Sequence, residues 1–369
     1  MTPMRRVIPL AALVAATMSV VGLTSSPAGA AAGAGAPSGA RDVTAIKRAE
    51  AAAAAPRSAA TGGRPSVTPR ALTSTEPLPD GYPVGTLGDT YVDTARGTPA
   101  YFWAPAHANR YLPTTIWYPA AAGGKGYDQG AVAPAAGRFP LLVFAHGYNA
   151  NPATYQPFLH TLAAAGYVVA APTFPTSHYI NGVTMPPRST AEMVNQAYDM
   201  SAVIGGVQWR VAHDPWLLRG TVDTGRIGVI GHSDGGMTVA GMQLSTGYYD
   251  SRPTVTVVMS GAGLAMPGGS YGVRRTTPLL VEQATQDPYN GYANGLGLFN
   301  GALGRPKTML SVSGPYHIWP LIGDDRVADL TRRATLDFLN WKLKGWWLSP
   351  FALANDGGVP GYTAQRTVV

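Results

Sequence analysis

The chain has 369 residues, 46% hydrophobic and only 13% charged, which is enough apolar material for a large core under a rather neutral surface. Its formal charge of +7 is uneven: residues 1–78 hold eight Lys/Arg against three Asp/Glu and the remainder nineteen against seventeen, with no basic run interleaved with aromatics, so a nucleic-acid partner is not expected. Cysteine is absent, which excludes a thiol nucleophile, a disulfide framework and any thiolate-ligated metal.

The N-terminus reads as an export signal. Arg5 and Arg6 form a positive head, Val7 to Leu23 an apolar stretch carrying Pro9, and Ala28-Gly29-Ala30 a small-residue cleavage site. A signal peptide over residues 1–30 and a secreted, extracellular product are therefore expected, with the arginine pair leaving general or twin-arginine export open. No later segment offers about 18 uninterrupted apolar residues, so stable membrane insertion is not expected. Residues 31–79 are Ala, Gly, Pro, Ser and Thr with scattered Arg, and such a stretch cannot bury enough surface to offset its ordering entropy. It reads as a disordered linker or pro-segment, with a short helix possible over Ala45 to Ala55.

Over residues 80–349 apolar β-branched runs alternate with amphipathic stretches, the pattern of a mostly parallel sheet covered by helices. Leu112 to Tyr118 and Phe139 to Ala145 read as strands. Asn151-Pro152 opens a helix, a capping side chain before proline at the first helical position, and Gly166 ends it. Tyr167 to Ala171 is a buried strand, and Ser189 with Glu192 forms a capping pair for a helix towards Val211. Ile227 to Ile230, Val255 to Met259, Leu279 to Val281 and Met309 to Val312 are further strands. Asp325 to Lys344 is an amphipathic helix with basic residues in its last turn. Residues 350–369 read as a loose tail.

One turn in this series carries chemistry. Gly231-His232-Ser233-Asp234-Gly235-Gly236 lies between the strand Ile227 to Ile230 and a helical stretch, Met237 to Leu244. A G-x-S-x-G sequence is specific in that setting, because a sharp turn with small flanking residues thrusts the serine out at the sheet edge. A serine hydroxyl needs a base, and the base an orienting acid. On such an elbow both follow the serine along the chain. The one histidine beyond Ser233 is His317, in a loop directly after the strand Met309 to Val312. For the acid, Asp287 after the strand Leu279 to Val281 is favoured over Asp250, Glu282, Asp324, Asp325 and Asp329. Backbone amides of Asp234 and of Tyr148, in His146-Gly147-Tyr148-Asn149, are the expected oxyanion donors. His146 and His232 read as structural. No cofactor or metal is called for.

Aromatic residues Tyr148, Tyr155, Phe174, Tyr316 and Trp319 fall on loops expected to rim the site, which suits an apolar acyl chain or an aryl ester. Tyr148, Phe174 and Trp319 are the candidates for substrate contact. The segments Thr173 to Arg188 and Asp287 to Pro306 are expected to be mobile rims.

The run from Leu141 to Pro175, together with Gly-His-Ser-x-Gly-Gly, resembles the α/β-hydrolase superfamily over roughly residues 80–348. Within it the chain is similar to bacterial cutinases and polyester hydrolases, and to platelet-activating-factor acetylhydrolase and chlorophyllase-type esterases. The resemblance implies an α/β-hydrolase fold without a large cap domain, and a Ser233–His317–Asp287 triad with Tyr148 and Asp234 as oxyanion donors. It implies an esterase, lipase or cutinase-like activity on short- to medium-chain, lipidic or polyester substrates. A monomer is expected. Three features depart from cutinases: Asp234 replaces their usual Met or Gln, the C-terminal disulfide has no cysteines, and Asp287 to Pro306 is long. The alternatives are a peptidase or amidase on the same fold, which usually needs an added cap, and a non-catalytic binding protein, which typically lacks a triad member.

Overall fold

A computed structural model describes residues 81–101, 104–123, 128–179, 189–213, 215–245, 247–263 and 277–369. The expected signal peptide and linker lie outside the described residues, as does the stretch 180–188 of the first expected rim. Nine strands pair into one sheet: β1 (Val84–Asp93), β2 (Arg110–Pro119), β3 (Phe139–Ala145), β4 (Val168–Pro172), β5 (Val222–His232), β6 (Val255–Met259), β7 (Leu279–Ala284), β8 (Lys307–Val312) and β9 (Thr363–Val368). Their spatial order is β1-β2-β4-β3-β5-β6-β7-β8-β9. The six central strands, β4 to β8 in that order, are mutually parallel. β1 and β2 on one side and β9 on the other add antiparallel edges.

The parallel strands are buried on both faces because helices cover both. β3 shows the alternation: Leu141, Val143 and Ala145 belong to one apolar layer, Leu142 and Phe144 to the other. The first layer packs on α2 (Thr190–His213), α3 (Asp234–Leu244) and α4 (Tyr292–Gly301) through Val203, Ile204, Val207, Val239, Leu298 and Phe299. The second packs on α1 (Gln156–Ala164) and α6 (Arg326–Leu339) through Phe158, Leu159, Leu162, Leu336 and Phe338. The short α5 (Trp319–Ile322) and the terminal α7 (Ser349–Asp356) complete the helices among the described residues. This is the α/β-hydrolase architecture, and no separate cap domain occurs among the described residues.

The caps follow the sequence signals. The Asn151 side chain accepts from the Thr154 amide at 3.2 Å, Thr154 answers on the Asn151 amide, and Pro152 starts a short 3-10 turn leading into α1. The Ser189 hydroxyl accepts from the Glu192 amide. Asp325 caps α6 through the Ala328 amide at 3.0 Å. After Leu339 a π turn, Asn340–Lys344, carries the two lysines and ends at Gly345 in the left-handed region.

The ends and rims differ from the sequence reading in three places. β1, VGTLGDTYVD, was not anticipated; as an edge strand with two glycines and two aspartates it has a weak apolar alternation. Residues 350–369 are not loose, because most of α7 lies there and β9 pairs with β8 from Lys307 to Val312. The segment Asp287 to Pro306 is not an irregular rim: its centre is α4, with Leu298 and Phe299 buried in the core. Two adjacent apolar residues, Leu298 and Phe299, anchor this helix despite its glycines.

Candidate active site

The three residues expected from the sequence, Ser233, Asp287 and His317, lie at the carboxyl ends of the parallel strands, beside the turn of β5 into α3. Ser233 sits at that turn with φ 57° and ψ −119°, a sparsely populated conformation for a residue with a side chain. The flanking glycines are sterically required. A Cβ on Gly231 would stand 2.0 Å from the Gly235 carbonyl oxygen, and one on Gly235 would stand 2.0 Å from that of Ala145. The strain is held by the Ser233 amide, which donates to the Met259 carbonyl of β6 at 2.9 Å, and by the first turn of α3, where the Met237 amide donates to the Ser233 carbonyl.

His317 lies in the loop after β8, and its ring links two side chains. Nε2 is 2.9 Å from Ser233 Oγ and Nδ1 is 2.8 Å from Asp287 Oδ2. Asp287 follows β7 and is buried. Its Oδ1 accepts the amides of Tyr289 at 2.8 Å and Asn290 at 2.9 Å, and its Oδ2 also accepts Gln283 Nε2 at 2.9 Å. Burial raises the Asp287 carboxyl, but the His317 bond, the imidazole charge and the two amides outweigh it, so the group titrates below the ordinary carboxylate range. The carboxylate is thus fixed as an acceptor for Nδ1–H. That leaves Nε2 as an acceptor facing the Ser233 hydroxyl.

The competing acids are engaged elsewhere. Asp325 caps α6 and accepts the Trp319 indole at 3.0 Å. Asp250 holds Ser201 and Arg252. Glu282 is buried in β7, and Asp324 and Asp329 are exposed.

The loop after β3 packs against the elbow: a Cβ on Gly147 would lie 3.1 Å from the Ser233 Cβ. Tyr148 follows it, half-buried. His146, fully buried, braces the loop by accepting the Phe174 amide on Nε2 at 3.0 Å and donating from Nδ1 to the Gly147 carbonyl at 2.8 Å. Burial, together with His178, holds it down at about 4 against the support of the Gly147 carbonyl, so it is neutral. The neighbouring Asn149 amide donates to the Ser177 carbonyl at 2.8 Å. Asp234, the first residue of α3, is 1% exposed, so its carboxylate is turned into the protein rather than presented at the surface beside Ser233.

The expected aromatic rim is only partly assembled. Phe174 is 0% exposed and packs on the His146 ring at 4.8 Å, so it is a core residue, out of a substrate's reach. Tyr155 and Tyr316 are buried too, whereas Trp319 is half-buried and tied to Asp325. Two other aromatics were not foreseen. Tyr289 packs against the His317 ring at a tilt of 56°, with centroids 4.9 Å apart. Tyr101, from the connection between β1 and β2, comes close enough to Tyr148 that burial, and then that phenol, push its own phenol up. Also missed were Gln283 and Asn290, which orient Asp287 and, through Asn290 Nδ2 on the Ser260 carbonyl at 2.7 Å, tie its loop to the end of β6. The Asp-Pro-x-Asn sequence was the available signal, since such a turn lets an aspartate accept amides two and three residues on. Among the described residues no cluster of three or more acidic or histidine side chains could hold a metal, and no helix is long and apolar enough to cross a membrane.

Comparison with curated protein sequences gave no match. The chlorophyllase family model matches residues 131–259, about a third of the chain, which spans the loop after β3 and the elbow but stops before Asp287 and His317. Among solved structures, a ferulic acid esterase from Streptomyces cinnamoneus is similar with a TM-score of 0.56 and 21% identity, covering 72% of this chain and 91% of that one. The chain therefore has the α/β-hydrolase fold and resembles chlorophyllase-type esterases over residues 131–259.

Proposed function

We propose that this protein is a serine hydrolase that cleaves carboxylic esters through an acyl-enzyme intermediate. The observation that carries the reading is the continuous chain Ser233 Oγ, His317 and Asp287, with links of 2.9 and 2.8 Å, built on a strained elbow. Ser233 attacks the ester carbonyl while His317 Nε2 takes its proton. Asp287 holds the ring in the tautomer with Nδ1–H and stabilises the imidazolium that forms. The amides of Tyr148 and Asp234 receive the oxyanion, the latter aided by the positive end of α3, and each such donor is worth roughly 3–4 kcal/mol in comparable sites. His317 then protonates the departing alkoxide, and water attacks the acyl-enzyme by the same route in reverse.

The substrate we favour is an apolar or aryl ester whose acyl part lies along Tyr148, with Trp319 further out. The chlorophyllase match and the ferulic acid esterase likeness agree with ester chemistry on bulky groups. Short- to medium-chain, lipidic and polyester substrates are all within this class. Hydrolysis of a p-nitrophenyl ester series from acetyl to palmitoyl, by wild type and Ser233→Ala, tests it. A chain-length optimum that vanishes in the variant supports the reading, and equal hydrolysis by both proteins defeats it. Export is the second half of the proposal, resting on Arg5, Arg6 and the Ala28-Gly29-Ala30 site. The mature N-terminus of protein collected from culture medium is expected at Ala31, and a chain retained in cells with Met1 intact would contradict this.

A further inference from the structure

Two buried polar side chains beside the reacting groups have no part in proton transfer. Tyr155, at the end of the 3-10 turn before α1, and His232, the residue before the nucleophile, are each 1% exposed. The Gly147 amide is 3.1 Å from Tyr155 Oη, Tyr155 Oη is 2.8 Å from His232 Nδ1, and His232 Nε2 is 2.8 Å from the backbone carbonyl of His317. The chain of bonds allows one proton arrangement. An amide only donates, so Oη accepts from Gly147; with the acceptor carbonyl of His317 at Nε2, a neutral ring leaves Nδ1 bare to accept the Oη proton. The ring proton then sits on Nε2 and is donated to the carbonyl of His317, which only accepts. Ser260 Oγ adds a second donor to that carbonyl at 3.2 Å. The His232 ring also packs, tilted, between Tyr155 and the His317 imidazole, with centroids 5.4 and 4.7 Å away. Burial, then the nearby His317 ring, keep His232 neutral down to about 3.

Resting on the ester-hydrolase reading, we propose that Tyr155 and His232 are positioning residues. Their hydrogen-bonded bridge fixes the loop after β3, which carries one oxyanion donor, against the backbone of the base His317. The two segments are far apart in the sheet: Gly147 follows β3, His317 follows β8, and β5, β6 and β7 stand between those strands. Oxyanion stabilisation and proton transfer act on the same tetrahedral carbon, so a shift of one group relative to the other weakens the transition state more than the ground state. The bridge therefore acts on kcat rather than on substrate binding.

Tyr155→Phe removes one oxygen and keeps the ring against Phe144, 4.8 Å away. The expected result is a kcat lowered by about 10- to 100-fold with KM within about two-fold, on a soluble p-nitrophenyl ester. His232→Phe should lose at least as much, and His232→Gln, whose amide can still donate to the His317 carbonyl, should recover a large part. The double variant Tyr155→Phe/His232→Phe should be hardly worse than either single one, because both break the same bridge. A kcat within two-fold of wild type in Tyr155→Phe, or a loss carried by KM or by thermal stability alone, overturns the proposal. Nitrogen-15 NMR of the His232 ring supplies a test independent of turnover. A pure Nε2–H tautomer from pH 5 to 8, becoming mixed in Tyr155→Phe, supports the bridge; an Nδ1–H or charged ring in wild type overturns it. Should wild type cleave no ester, the hydrolase reading fails while the NMR result still decides whether the bridge exists.

Discussion

Two buried carboxylates, at opposite parts of the sheet, show how similar ingredients serve different ends. Asp287, at the carboxyl end of β7, faces an imidazole whose far nitrogen reaches a serine hydroxyl. Asp199, on α2 behind the antiparallel edge, faces two guanidinium groups: Arg96 Nη2 and Arg110 Nε both stand 2.7 Å from its Oδ1. Arg110 also reaches Glu192 at 3.0 Å, and Glu192 in turn accepts Thr176 and Asn195. Burial works against the Arg110 charge, but Asp199 and Glu192 outweigh it and hold the guanidinium charged. The Asp199 cluster has permanent cations and ends on groups with no reactivity, so it staples β2 and the connection after β1 to α2. In the proposed reaction Asp287 has a partner that gains and loses a proton, and the bond chain ends on the serine that attacks. The difference between structure and chemistry here lies in the partner, not in the carboxylate.

That contrast can be broken by substitution. Asp287→Asn should cut kcat by about 10,000-fold by favouring the wrong tautomer of His317, with little change in KM or unfolding midpoint. Asp325→Asn should leave kcat within two-fold; if the two results were exchanged, the acid is misassigned. Asp199→Ala should behave oppositely, leaving Arg110 charged and partly uncompensated in the core. A loss of about 3–5 kcal/mol in urea unfolding is expected, with kcat of the folded protein nearly unchanged. A kcat loss rivalling that of Asp287→Asn would erase the distinction between the two regions.

Smaller effects concern pH. His146 and His232 are held down to about 4 and about 3 by burial. Their depressed folded values mean that the unfolded chain binds protons first as pH falls below about 6.5. Stability is therefore full above that value and declines towards pH 3, and Tm should fall steadily from pH 7 to 4, less steeply in His232→Gln. Asp337 on α6 moves the other way. Burial and the neighbouring Asp356 raise it to about 7 against the pull of Arg333. Its contribution is full below about pH 4 and is lost progressively as pH rises to about 7, so Asp337→Asn should raise Tm more at pH 8.5 than at pH 5. An equal gain at both values would show that Asp337 is not protonated in the folded protein.

Much of the parallel core was legible because such strands are buried on both faces and read as unbroken apolar runs; Val255 to Met259 has the same limits in sequence and structure. The elbow was legible for a steric reason, since Gly231 and Gly235 leave no room for a side chain. His317 was reached by elimination and Asp287 by its place after a strand. The edges were not legible, because β1 and β9 keep polar residues facing solvent and owe their pairing to neighbours distant in sequence. Phe174 failed as a rim residue for a related reason: its loop position was correct, but the ring turns inward onto His146. Nor could spacing reveal the Tyr155–His232 link, which joins residues 77 apart through two side chains whose meeting depends on the packed fold.

The most direct test of the central claim is covalent. Wild type, Ser233→Ala and Asp287→Asn would be treated with a fluorophosphonate, and the adduct located by peptide mass spectrometry. The account predicts one adduct, on Ser233, absent from Ser233→Ala and formed far more slowly in Asp287→Asn. An adduct on another residue, or undiminished labelling of Ser233→Ala, would contradict it.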